Sequence, residues 1–267
     1  LGAAAAVAGI ALALPHWQRP LPPAVAKVAN YASYDATPER RFQFRTGRCF
    51  LEGGGALAPE CIARDPRRPN WALIGDSHGA MLWRALAERY PGVNLLQLTA
   101  PGCRPLPDAP AKLACARARA AAWADVAGDS RVGTVILAGR WQGSDLERLP
   151  RAIARLRAAG KRVIVIGPVV EYDGGMPGLL ARAMLAGEAD RFDRFRLTDR
   201  AALDQRIALV VLTAGAEYRS LQRAECPRRC ALITPDGTPV HSDYGHLTLA
   251  GARLVVARLP AIARDGP

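Results

Sequence analysis

From residue 70 onward the chain alternates short apolar runs with stretches of helical period, and two runs, TVILAG and VIVIG, are almost wholly apolar. A strand with one wet face alternates apolar and polar residues. A continuous apolar run suits a strand covered on both faces, as in a parallel sheet beneath crossover helices. The pattern predicts an α/β fold: a three-layer α/β/α sandwich with a mostly parallel central sheet. Expected strands are residues 71–74, 93–98, 134–138 and 162–166, with weaker candidates at 217–221 and 231–233. Expected helices are residues 80–89, 111–127, 145–159, 199–214 and 248–259.

The 267 residues, half of them hydrophobic, suit one sizeable domain with an appendage. Residues 1–14 are apolar and uncharged, too few to span a bilayer, which needs about 20. They read as the exit end of a transmembrane helix, with His16, Trp17 and Arg19 as its interfacial anchor; a buried soluble helix is the ordinary alternative. Residues 15–68 are Pro-rich at first, lack a sustained period, and read as a linker or extension before a domain over 69–267.

The formal charge of +12 is mostly arginine, spread along the chain beside alanines rather than interleaved with aromatics. No helix-turn-helix or aromatic-basic strand pattern is present, so nucleic acid is not the expected partner. Compositional bias explains most of this charge; a basic surface facing acidic glycans or anionic lipid is the functional alternative.

Six cysteines fall into three close pairs. An even count at short separations suggests disulfides and an oxidising compartment, although six cysteines allow about 15 connectivities. Each close pair brackets a Pro- or Gly-bearing loop, which favours Cys49–Cys61, Cys103–Cys115 and Cys226–Cys230. There is no CxxC and no histidine within three residues of a cysteine, so zinc is not expected.

Two segments carry chemistry. In NWALIGDSHGAMLWRAL an apolar strand runs into a tight turn holding Asp76, Ser77 and His78, and a helix follows. Open α/β sheets bind ligands at the carboxyl ends of their strands, where free helix N–H groups suit developing negative charge. A serine there also caps helices, which is the bland reading of Ser77. Near the other end, HSDYGHLTLAGARLV offers Asp243 and, three residues on, His246. A serine nucleophile needs a base to take its proton and an acceptor to orient that base, and Ser77, Asp243 and His246 supply the three parts. An Asp-x-x-His step alone is common by chance; joined to GDSH it is far more specific.

With LIGDSHGAMLW, QLTAPGCRPL, VILAGRW, VIGPVVEY and DYGHLTLAGA in place, the chain resembles an SGNH (GDSL-like) hydrolase domain. More narrowly, it is similar to those fused behind membrane-embedded acyltransferase-3 proteins, which O-acetylate bacterial surface glycans. The resemblance implies a flavodoxin-like SGNH fold and a membrane-tethered module on the periplasmic face of the inner membrane. Its acyl donor would come from the fused acyltransferase-3 domain, and its acceptor would be a surface polysaccharide. No cofactor or metal is expected. Ser77 matches the nucleophile, His246 the base, Asp243 its orienter, and Gly102 an oxyanion-hole glycine beside the Ser77 amide. The third strand departs from the family pattern: Trp141 stands where many SGNH enzymes place an oxyanion-hole asparagine, leaving its indole N–H or the Arg140 guanidinium as replacement donors. The alternatives are a carbohydrate O-acetyl esterase and a non-catalytic glycan-binding module. His241 is a rival base, two residues from Asp243 rather than three. His78 and Asp76 suit support of the turn. Tyr172 could stack on a sugar, whereas Trp83 and Trp123 suit the core.

Overall fold

The computed structural model describes residues 20–52 and 57–263. Five strands, β1 (Asn70–Gly75), β2 (Asn94–Thr99), β3 (Val132–Ala138), β4 (Arg162–Ile166) and β5 (Glu217–Arg219), make one parallel sheet in the order β2-β1-β3-β4-β5. The helices are α1 (Pro23–Asn30), α2 (Pro38–Phe44), α3 (Ser77–Arg89), α4 (Leu113–Ala127), α5 (Leu149–Ala158), α6 (Met176–Leu185), α7 (Asp199–Thr213), α8 (Leu221–Glu225) and α9 (Leu249–Arg258).

The unbroken apolar strands have the burial their composition calls for. Successive side chains point to opposite faces of a strand. Leu73, Ile136 and Ile164 therefore enter one core with Met81 and Leu82 of α3 and Val255 of α9. Ala72, Val135, Leu137 and Val165 enter a second core with Trp123 of α4, Ile153 of α5 and Ile207 of α7. Both sheet faces are covered, giving the expected three layers. Gly75 lies level with Thr99 and Ala138, so β1, β2 and β3 end together. The strand order reverses about β1, which opens a crevice at that end for a ligand.

The amino-terminal extension is helical and packed against the body. Its prolines open helices: Pro23 and Pro38 occupy first-turn positions, where a missing N–H costs nothing, and the Thr37 hydroxyl caps α2 through the Arg40 amide at 3.2 Å. Gln43 is fully buried and donates to the carbonyls of Met81 (2.9 Å) and Leu247 (3.1 Å), while Tyr34 donates to Gln43 at 2.8 Å. Val25 and Val28 form a third core with α6. Helices of eight and seven residues are too short for a period to stand out, and their partners are remote in sequence. The weak strand expected at 231–233 is only a single bridge from Ile233 to Pro239, because the chain turns sharply at Gly237 (φ 81°). The 217–221 candidate stops at Arg219, where Ser220 caps α8. The expected membrane-exit helix at 1–14 lies outside the described residues. All three expected cysteine pairs are disulfide-bonded.

Candidate active site

The sharp passage from β1 into α3 depends on two glycines. A Cβ on Gly75 would stand 2.0 Å from the Ala138 carbonyl oxygen, and one on Gly79 would stand 2.9 Å from the same atom. Only bare backbone lets the helix start so close to the end of β3. Asp76 secures the turn: one carboxylate oxygen accepts from the His78 amide at 2.8 Å, the other from the Arg140 amide at 2.8 Å. Burial raises the Asp76 pKa, against the opposing pull of the Arg140 and His78 amides. Ser77 is thereby presented as the first residue of α3.

The base arrives on a loop closed by an antiparallel bridge from His241 to Leu247 and by the Ser242 amide donating to the His246 carbonyl at 2.8 Å. The segment after β4 holds this loop: the Tyr172 amide donates to the Tyr244 carbonyl (2.8 Å) and the Met176 amide to that of Asp243 (3.2 Å). His246 Nε2 lies 2.8 Å from Ser77 Oγ, and His246 Nδ1 lies 2.6 Å from Asp243 Oδ2. Asp243 Oδ1 accepts from the amides of Gly245 (2.8 Å) and His246 (2.6 Å). Burial would raise the Asp243 carboxyl, but the His246 ring and those two amides outweigh it and hold it at about 2. A carboxylate only accepts hydrogen bonds, so Nδ1 carries the ring proton in the neutral imidazole and Nε2 is free to accept the serine proton. The structure thus brings together three residues that the sequence separates by up to 169 positions.

His78 packs against the base, with ring centroids 4.7 Å apart. Burial, then His246 and Arg140, push its pKa well below the ordinary histidine value, so it is a neutral wall. His241 is buried with its Nε2 2.6 Å from Glu225, away from the serine; it braces the loop instead of rivalling His246. Trp83, Trp123 and Tyr172 are buried too, which removes Tyr172 from any sugar-stacking role.

The oxyanion-hole expectation needs one correction. Trp141 is fully buried and spends its only side-chain donor on the Ile166 carbonyl at 2.7 Å, so it cannot serve an oxyanion. Arg140 directs Nε (3.1 Å) and Nη2 (2.8 Å) onto Glu171 and lies with its guanidinium 4.7 Å from the Tyr244 ring centroid. Gly102 sits in an exposed turn, at φ 65°, just beyond β2. Among the described residues, the amides of Ser77 and Gly102 have no acceptor within the protein.

Glu171 was not singled out from sequence. Its buried carboxylate pairs with Arg140 and approaches Arg200 at 3.8 Å, and a Cβ on Gly245 would lie 3.1 Å from its Cγ. Asp76, Arg140 and Glu171 therefore link the nucleophile turn to the loop bearing the base. An acid directly after the apolar run VIVIGPVV was the available signal.

Several comparisons bear on this arrangement. The family described as the SGNH domain fused to AT3 domains matches residues 41–261. No curated protein matches the sequence. Among solved structures, the periplasmic domain of the Salmonella ser. Paratyphi A lipopolysaccharide acetyltransferase is 21% identical, with a TM-score of 0.68 over 88% of this chain and 95% of that one. A carbohydrate acetylesterase family member from Sinorhizobium meliloti is 12% identical, with a TM-score of 0.41 over 70% of this chain and 93% of that one. A variant of an acetyl xylan esterase from Geobacillus stearothermophilus is 14% identical, with a TM-score of 0.41 over 70% and 90%. The first of these supports the fold, and the family match runs through the segments bearing Ser77 and Asp243–His246. The chain belongs to the family of SGNH domains fused to AT3 domains.

Proposed function

We propose that this domain transfers an acyl group, acetyl in the first instance, to hydroxyls of a bacterial surface polysaccharide through an acyl-enzyme on Ser77. The observation that carries the reading is the unbroken hydrogen-bonded line from Ser77 Oγ through His246 to Asp243. Ser77 Oγ attacks the ester carbonyl while His246 Nε2 takes its proton, and Asp243 stabilises the imidazolium that forms. The oxyanion is received by the free amides of Ser77 and Gly102. Arg140 Nη1, which has no partner among the described residues, is a third donor for it. The tetrahedral intermediate collapses, His246 protonates the departing alcohol, and the acyl group remains on Ser77. The acceptor hydroxyl then enters, gives its proton to His246 and attacks the acyl carbonyl; the Ser77 Oγ–acyl bond breaks, and His246 returns the proton to Ser77 Oγ. This chemistry calls for no cofactor.

The disulfides suit an oxidising compartment, and the family's fusion to AT3 domains suits a domain on the periplasmic face of the inner membrane, its acyl groups supplied by the membrane partner. Ser77→Ala in the full-length protein should abolish O-acetylation of the surface polysaccharide, read by NMR of the purified glycan. On the isolated domain, Ser77→Ala and His246→Ala should each lower turnover of an activated acetyl ester by roughly 10³-fold or more. Wild-type acetylation in Ser77→Ala cells would refute the serine mechanism. A rise above wild type would identify a deacetylase acting through the same acyl-enzyme, with water as acceptor.

A further inference from the structure

A second cluster, on the face made by α2 and α3, takes no part in the chemistry. The Arg45 guanidinium lies 4.3 Å from the centroid of the Trp83 ring; that of Arg84 lies 5.0 Å from the same ring and 3.9 Å from the ring of Phe42. Phe42 is 51% exposed. Among the described residues neither arginine has a carboxylate at ion-pair distance. The acids nearest in charge, Glu60 and Glu88, are held by Arg48 and Arg253. Two like charges thus share one aromatic platform without a direct ion pair to either. Burial lowers the pKa of Arg45, and Arg84 lowers it further.

The backbone bears the same mark. Arg45 ends α2 in the left-handed region (φ 56°), the one non-glycine residue with positive φ among those described. Helices usually place glycine there because a side chain is disfavoured. Here the strained position holds an arginine, and the turn lays that arginine over Trp83.

We infer that this face, in which Phe42, Arg45 and Arg84 lie about the buried Trp83 ring, docks onto an anionic phospholipid surface. Both guanidinium groups are on partly exposed residues without a carboxylate partner, and headgroup phosphates match their planar donors, while Phe42 offers an apolar side chain to the interfacial layer. The occupant is argued from charge complementarity and from the apolar run of residues 1–14, which precedes the first described residue, Pro20, on the same chain. The face is close to the chemistry. Arg84 follows Ser77 by seven positions on α3, about 10 Å of rise, and the Phe44 ring of α2 lies 6.2 Å from that of His246. Docked this way, the domain keeps its serine near the bilayer, where a membrane partner presents the donor. That consequence rests on the acyl-transfer reading; the docking does not.

The test is cosedimentation of the 267-residue chain with phosphatidylcholine vesicles, with and without one-third phosphatidylglycerol. Any binding through residues 1–14 contributes to both vesicle types, so the ratio between them reads the charged face. The wild type should favour the anionic vesicles by roughly 30-fold at low salt, from about one favourable interaction per arginine, and lose most of the preference in high salt. Arg45→Gln/Arg84→Gln should bring the ratio near unity, with circular dichroism confirming the fold. Phe42→Asp should weaken binding to anionic vesicles. Arg228→Ala/Arg229→Ala removes equal charge from an exposed loop elsewhere and should leave the ratio unchanged. Equal partition of the wild type, or an equal loss in the Arg228/Arg229 control, would overturn the proposal. Ser77→Ala should dock like the wild type, so failure of the docking and failure of the serine mechanism are read separately.

Discussion

His78 shows how one side chain can serve a reaction without touching it. A protonated imidazole 4.7 Å from His246 would oppose the charge that the base must acquire. Burial prevents this by keeping His78 neutral, with a pKa well below the ordinary value. The cost appears in acid. The native state excludes a proton that the unfolded chain binds below about pH 6.5, so stability falls as pH drops through that value and is unaffected above it. Unfolding free energy should therefore fall more steeply between pH 6.5 and 5.5 in the wild type than in His78→Gln, by about 1 kcal/mol at most. Urea titrations at both pH values measure it; equal slopes would mean that His78 titrates like an exposed histidine. That Ser77, Asp243 and His246 would meet was readable, because a serine mechanism needs those residue types together. The fate of Trp141 was not, since the direction of one indole N–H depends on where the Ile166 carbonyl lies.

At the scale of elements, the site is a consequence of how close α3 comes to β3. Gly75→Ala places a methyl group 2.0 Å from a backbone oxygen and 3.3 Å from the Gly79 Cα, and neither is a flexible side-chain end. Relief requires α3 to move, and Ser77 with it. The substitution should cost about 3 kcal/mol by chemical denaturation and lower ester turnover further than the stability loss explains. Wild-type stability would show that the junction is looser than these distances imply. The same elements explain the brace of Asp76, Arg140 and Glu171. Strands β1, β3 and β4 are sheet neighbours, so the residues following them converge although they are far apart in sequence.

For the whole molecule, the segment before residue 69 decides whether the domain stands alone. Val25, Val28, Tyr34 and Phe44 are all buried, and at about 2 kcal/mol each their contribution rivals the net stability of a typical domain. Removing the segment would also strip Gln43 from the Met81 and Leu247 carbonyls and leave Cys61 without Cys49. A fragment of residues 69–267 should show no cooperative thermal transition by circular dichroism, whereas residues 20–267 should retain one. A cooperative melt of the shorter fragment would show that α1 and α2 are accessories to the fold.

Legible in the sequence were the layers, the parallel strands, the disulfide pairs and the meeting of Ser77, Asp243 and His246. These depend on local pattern, on short loops, or on a chemistry that few residue types can perform. The folded chain was needed to show that α1 and α2 bury Val25, Val28 and Gln43, that His241 turns to Glu225, that Trp141 turns to Ile166 and that Glu171 ties the two halves of the site together. Each of these concerns the partner of a polar or short amphipathic element. A buried donor or acceptor must find a partner, yet nothing in its local sequence says which of the groups brought near by the fold it will meet.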